Sequence, residues 1–251
     1  GSYCPPTTFD LSSPDVFDCH SIVDVNADNS TWVFYSGSAT YRYNSTNEAD
    51  DWLFSPNVKL EAGKAYEFTA SVKCSSSNYP ERLEVKAGIG TTPDAMTIEV
   101  VPVTDVVWSD PQDVTGTITV PATGIYNIGF HAVSDADMNR LYLYNYSIGQ
   151  GAKLTAPTAP EDIVVAPAPS GDLEATIEFK TATKALNGEA LTGDLTTRVL
   201  RNGELLKTVT GKPGMLFNFV DKTVPEIGTY TYTFETLNAD GDAGLPTSVT
   251  V

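Results

Sequence analysis

Residues 65–73 read AYEFTASVK, and their alternation decides the fold class. Tyr66, Phe68, Ala70 and Val72 fall on one side of an extended chain, with Glu67, Thr69, Ser71 and Lys73 on the other. Successive Cβ atoms of a strand point to opposite faces, so the segment predicts a strand with one dry and one wet face. RLEVKAGI (82–89) repeats the pattern with Leu83, Val85, Ala87 and Ile89 inward. IYNIGFHA (125–132) does so with Tyr126, Ile128, Phe130 and Ala132. Turn-forming clusters (EAGK, SNYPE, PATG and SDADMN) separate these runs at strand-length spacing, and no long segment holds a helical period. Short alternating strands between such turns predict an all-β protein built as an antiparallel sandwich.

Near residue 150 the texture changes. GQGAKLTAPTAPEDI (149–163) is rich in Gly, Ala, Thr and Pro, and its prolines remove ladder donors and stiffen the chain. This stretch predicts a linker between two domains, 1–152 and 153–251, the second about the size of one seven-stranded sandwich. Its strands read LEATIEF, LTTRVLR, ELLKTVT, MLFNFV and TYTYTFETLN. Asn202-Gly203 lies between two of them, the dipeptide best suited to the positive φ angles of a type I′ hairpin turn.

Composition limits the function. Fifteen basic residues against 32 acidic ones give a net charge of −17. Such a surface repels phosphate backbones and anionic membranes, which argues against nucleic-acid binding; it suits divalent cations and neutral or cationic partners. No apolar run approaches the roughly 18–20 residues of a membrane helix. The chain opens on Gly1, as a trimmed terminus would, so the lack of a leader decides nothing about compartment. Cys4, Cys19 and Cys74 are too few and too scattered for a zinc ribbon or a redox pair; one disulfide with a spare thiol and three idle thiols both fit.

DVNADNSTW (24–32) places side-chain oxygens at Asp24, Asn26 and Asp28, the spacing of the first half of an EF-hand loop. The match then ends. Position six is Asn29 instead of Gly, and the twelfth position falls on Tyr35 where a bidentate Glu belongs. A polar turn capped by its own Asx side chains explains the same residues. Aromatics cluster in WVFYSGSATYRY and LYLYNY, and Trp32, Tyr35, Tyr41 and Tyr43 are the candidate ligand-stacking rings. Tyr142, Tyr144 and Tyr146 share one strand phase, with Leu141, Leu143 and Asn145 opposite. Core packing is the competing reading for all these rings and for Trp108. Catalysis finds little support: there are two histidines, His20 and His131, and no GxSxG, HExxH or GxxxxGK[ST] motif. A glycosidase needs only a carboxylate pair, which sequence does not reveal.

Two resemblances add to these readings. APTAPEDIVV (156–165), VLRNGELL (199–206) and GTYTYTFETLNADGDAG (228–244) resemble a bacterial fibronectin type III domain, an immunoglobulin-like sandwich. The resemblance implies a corner tyrosine at Tyr230 or Tyr232. It departs where Ile177 and Phe179 stand in place of the family's usual core tryptophan. DVNADNSTW, DDWLFSPNVKLEAGKAYEFTASV (50–72) and GIYNIGFHAVSDADMNRLYLYNYSIG (124–149) resemble, in that order, the cleaved-adhesin or choice-of-anchor jelly-roll domains. These share a plan with galactose-binding-like and MAM sandwiches and occur in surface and secreted proteins of Bacteroides-like bacteria. The resemblance implies an exported, non-enzymatic protein of the cell surface or secreted pool. It implies adhesion to, or capture of, a glycan or an extracellular host protein, with the second domain as spacer. The alternatives are a carbohydrate-binding module of a polysaccharide-degrading system and, last, a glycan hydrolase. It also implies a structural calcium, with Asp50 or Asp51 joining Asp24, Asn26 or Asp28. The acidic pair usual on the last strand is replaced by Asn145.

Overall fold

The computed structural model describes residues 1–251, which form two compact units, Gly1–Gly151 and Ala152–Val251. In the first unit the chain runs through β1 (Thr7–Asp10), the short helix α1 (Pro14–Asp18), β2 (Ser21–Asp24), β3 (Trp32–Tyr35), β4 (Ser38–Arg42), β5 (Asp51–Phe54) and β6 (Val58–Leu60). It continues through β7 (Lys64–Cys74), β8 (Glu81–Gly88), β9 (Ile98–Val106), β10 (Gln112–Ile118), β11 (Gly124–Ala132) and β12 (Arg140–Ile148). Two antiparallel sheets result. One has the order β10–β7–β12–β4–β3 with β1 added on β12; the other has the order β2–β5–β11–β8–β9 with β6 added on β11. This is a jelly-roll sandwich. No helix of the chain is long and apolar enough to cross a membrane.

The alternation read from residues 65–73 governs β7: Tyr66, Phe68, Ala70 and Val72 are buried, and Glu67, Thr69, Ser71 and Lys73 are half-buried on the other face. Phe68 meets Phe130 and Tyr146 between the sheets, with Leu53, Leu83, Val85, Leu141 and Leu143 around them. Full burial of each such side chain contributes roughly 2 kcal/mol. Trp108 packs at the rim of this core and donates its indole N–H to the Val72 carbonyl at 2.7 Å.

Two expectations fail for local reasons. Ile89 is 69% exposed, because β8 ends at Gly88 and the chain turns at Gly90, where φ is +118°. The tyrosines of β12 do not share a face. A β-bulge between Leu143 and Asn145 inserts one residue and flips the phase, sending Tyr146 into the core while Tyr142 and Tyr144 stay on the outer surface. Trp52 and Phe54 point away from the inter-sheet core. They stack at 5.5 Å under Met96 and form a separate cluster on the outer face of the second sheet.

In the second unit Ala152–Lys153 is a two-residue strand (β13), followed by β14 (Glu161–Pro167), β15 (Ala175–Lys180) and β16 (Leu195–Arg201). Then come β17 (Glu204–Gly211), β18 (Leu216–Asp221), β19 (Thr231–Leu237) and β20 (Thr247–Thr250). A three-stranded sheet, β14–β15–β18, and a four-stranded sheet, β17–β16–β19–β20, make an immunoglobulin-like sandwich. Asn202 and Gly203 take φ values of +47° and +84° in the β16–β17 hairpin, as a type I′ turn requires. Ile177 and Phe179 are fully buried, and Phe179 meets Phe234 edge to face at 5.4 Å in the core of this unit. The two corner candidates divide their roles. Tyr230 donates to the Glu226 carbonyl four residues upstream at 2.7 Å, whereas Tyr232 donates to Asp221 Oδ2 at 2.7 Å.

Candidate metal centre

The pairing of β2 with β5 places Asp24 directly opposite Asp51. Beyond Asp24 the chain folds tightly back. The N–H of Ala27 reaches the Asp24 carbonyl, that of Asn29 donates to Asp24 Oδ2 at 2.9 Å, and that of Ser30 donates to Asp28 Oδ1 at 3.0 Å. Ala27 and Asn29 hold positive φ angles of +52° and +67°, which a side chain adopts at a cost of roughly 1–2 kcal/mol. The result is a carboxylate cluster. Asp24, Asp28 and Asp51 each bring an oxygen within 4.8 Å of the others, and Asp51 is fully buried.

Like charges so placed are unfavourable unless something positive joins them. Burial pushes the Asp51 carboxyl up to about 8; the Asp50 N–H opposes this, while Asp24 and Asp28 push it further up. Tyr41 is raised by burial first and then by the charges of Asp51, Asp28, Glu81 and Asp24. In the first unit the buried side-chain oxygens without a hydrogen-bond partner belong to Asp24, Thr31, Tyr41, Asp51 and Glu81. Such groups are normally paired, and each left unpaired costs about 1–3 kcal/mol. The donors are all oxygen, with no thiolate or imidazole among the three carboxylates, which suits a hard divalent cation such as calcium.

The other residues singled out as metal ligands stand elsewhere. Asn26 is exposed and donates to the Glu48 carbonyl at 3.1 Å. Asp50 accepts from His131 Nε2 at 2.7 Å; Glu84 holds the other ring nitrogen at 2.8 Å, and the ring stacks on Trp52 at 4.0 Å. Asn145 is exposed opposite Asp10 and takes no part in the carboxylate cluster.

Of the four candidate ligand-stacking rings, two are corrected. Trp32 and Tyr41 are 0% and 1% exposed and face each other across the β3–β4 pair, so neither offers a ring to a ligand. Both are on the inward phase of strands that meet the core. Tyr35 is 44% exposed and Tyr43 half-buried. Tyr43 lines a groove with Asn29, Ser30, Thr31, Val33 and Arg42. Thr31 belongs to this lining although a lone threonine carries no sequence motif. The three cysteines are free, Cys4 and Cys19 exposed and Cys74 buried.

Known structures resemble part of the chain. The K1 cleaved adhesin domain of Lys-gingipain from Porphyromonas gingivalis W83 is 14% identical, with a TM-score of 0.46 over 58% of this chain and 98% of that one. The K3 cleaved adhesin domain of the same protein is 13% identical, with a TM-score of 0.45 over 57% and 95%. A CBM35 module from Paenibacillus barcinonensis is 10% identical, with a TM-score of 0.34 over 57% and 98%. No family model and no curated protein matches the chain.

Proposed function

We propose that the chain is an exported, non-enzymatic bacterial surface protein for adhesion or ligand capture. Its first unit binds the ligand, and its second unit, a fibronectin type III-like sandwich, serves as spacer. One observation carries this reading: the loop that supplies two of the three clustered carboxylates, Asp24 and Asp28, runs directly into Asn29, Ser30 and Thr31, which line the groove beside Tyr43. A divalent cation held by Asp24, Asp28 and Asp51 would fix that loop, and the groove's shape would depend on it. Calcium supplies only charge and coordination here; the backbone bonds from Asn29 and Ser30 orient the carboxylates.

A carbohydrate ligand is the second reading, favoured by the groove's lining. The amides of Asn29 and Asn44 and the hydroxyl of Ser30 line it beside one aromatic ring, a mixture suited to sugar hydroxyls and C–H faces. Both histidines are occupied by packing: His20 contacts the Val16 carbonyl and Tyr146, and His131 is clamped by Asp50 and Glu84.

The test is binding of the full chain to a glycan array and to extracellular matrix proteins, with calcium and with chelator. Capture of either ligand class that chelation weakens supports the proposal. Absence of all binding, or turnover of a glycoside that an Asp or Glu substitution abolishes, would overturn it.

A further inference from the structure

Residues 1–151 contain seven Lys and Arg, and four of them, Arg42, Lys59, Lys73 and Arg140, make no ion pair despite the acidity of the chain. Three of these four sit together. Arg42 of β4 is the register partner of Arg140 on β12, and Lys73 of β7 is the partner of Tyr142, two residues further along β12. With strands about 4.8 Å apart and a rise of about 3.3 Å per residue, the three backbone positions lie within roughly 12 Å of one another. All three belong to the outer phase of one sheet.

Each cation rests against a tyrosine. Arg140 lies 4.4 Å from the Tyr35 ring centroid, Lys73 4.8 Å from Tyr142 and Arg42 5.5 Å from Tyr43. Tyr144 is parallel to Tyr142 within 9° at 6.2 Å. Stacking on a ring satisfies only the π-facing side of a cation; the N–H groups keep their capacity for an anion. Arg42 and Tyr43 are also in the groove described above, so the patch and the groove are continuous.

We infer that this face, Arg42, Lys73 and Arg140 with Tyr35, Tyr142 and Tyr144, binds a polyanionic glycan whose carboxylate or sulfate groups meet the three cations while its rings lie against the tyrosines. Charge complementarity selects the occupant: a chain with net charge −17 that gathers unpaired cations on one sheet face attracts anions there and repels them elsewhere. A sugar polymer fits better than an acidic peptide, because the cations are interleaved with aromatic rings on the face of the sheet and away from the hydrogen-bonding edge a peptide strand would use. This occupant presupposes the binding role proposed above.

The experiment is isothermal titration calorimetry of the calcium-loaded full chain with hyaluronate, heparin, neutral dextran and poly-L-glutamate. Hyaluronate, which carries carboxylates alone, or heparin, which carries carboxylates and sulfates, binds, more weakly as salt rises; binding of heparin without hyaluronate assigns a requirement for sulfate. The R42Q/K73Q/R140Q variant loses about tenfold or more in affinity at an unchanged melting temperature. Exposed Arg42→Gln alone, which leaves the sheet intact, loses a measurable part of it. The inference is overturned if neither anionic glycan binds, if the triple variant binds as well as the parent, or if poly-L-glutamate binds as tightly as the glycans. Neutral-glycan or matrix-protein binding that survives in the triple variant would overturn this inference and leave the general binding role standing.

Discussion

The indole N–H of Trp32 donates to the main-chain carbonyl of Asp51 at 3.0 Å, tying β3 of one sheet to β5 of the other at the residue that completes the carboxylate cluster. The bond is buried at both ends, so its loss is not repaid by water. Trp32→Phe keeps an aromatic ring and leaves the Asp51 carbonyl without this donor. We expect the first unit to lose about 1–3 kcal/mol of stability. Its melting-temperature gain from calcium should also shrink, because the ligand-bearing segment is no longer anchored. Thermal unfolding with and without calcium measures both.

Asp51 makes the centre pH-sensitive, and the sign follows from its shift. The carboxyl lies at about 8 in the folded chain against 3.8 for an ordinary aspartate. A group raised in this way contributes stability that is fully present below pH 3.8 and is lost as pH rises through about 8. The cation-free first unit should therefore weaken between those limits. Calcium should reverse the trend, since the proposed site needs the ionised carboxylate and the cation would displace the proton. Calorimetry at neutral pH in buffers of different ionisation enthalpy should show release of about one proton per calcium bound. Asp51→Asn should stabilise the cation-free protein at alkaline pH and abolish the calcium response. A variant that keeps a full calcium response would remove Asp51 from the site.

The second unit should respond to acid in the opposite sense. Burial alone would raise Asp221, but hydrogen bonds from Thr223, Tyr232 and Arg201 bring it down to about 2. Arg201 Nη1 and the Tyr232 hydroxyl both reach Oδ2 at 2.7 Å, and the Thr223 hydroxyl reaches Oδ1 at 2.6 Å. A lowered carboxyl gives stability that is present above its unfolded value and lost as pH falls through its folded one, here from about pH 4 towards 2. Asp221→Asn strands Arg201 and should cost about 3 kcal/mol. Denaturant unfolding should show the full difference at neutral pH and only about half of the carboxylate's contribution near pH 3.

Gly88 ends β8 where the backbone of the Pro93–Ala95 turn comes closest. A Cβ there would lie 1.8 Å from the Ala95 carbonyl oxygen, a main-chain atom that no side-chain rotation can move. Gly88→Ala should push that turn outwards, uncover Trp52 beneath Met96 and cost about 1–3 kcal/mol. A red shift in tryptophan emission with a lower melting temperature is the expected readout. Unchanged fluorescence would mean that the turn absorbs the methyl without moving.

How much was legible in the sequence follows from these residues. Strands with one wet face, such as 65–73, announce their phase directly, and so does the Asn202-Gly203 turn. The bulge in β12 leaves no comparable mark, because a tyrosine, with its apolar ring and polar hydroxyl, fits either phase of the strand; only pairing with β7 shows that Tyr146 turns inward. Asp24 and Asp28 were readable as oxygen donors, whereas the choice between Asp50 and Asp51 needed the register with β2. The cationic face was invisible for the same reason. Arg42, Lys73 and Arg140 are far apart in sequence and become neighbours only through the strand order β7–β12–β4.

The clamping of His131 by Asp50 has a mechanical consequence. Asp50 and Asp51 are consecutive, yet one grips an imidazole stacked on Trp52 at the outer surface and the other closes the carboxylate cluster. A single peptide unit thus works as a rivet with a head on each side of the sheet. The Asp50 carbonyl also receives the N–H of Val25, so the shank is fastened to the loop as well. Tightening either head shortens the play of the other. In amide hydrogen exchange, cation loading should slow Val25 and the β5 amides together, as one opening unit, while Ile89 and its exposed neighbours continue to exchange at their own rate.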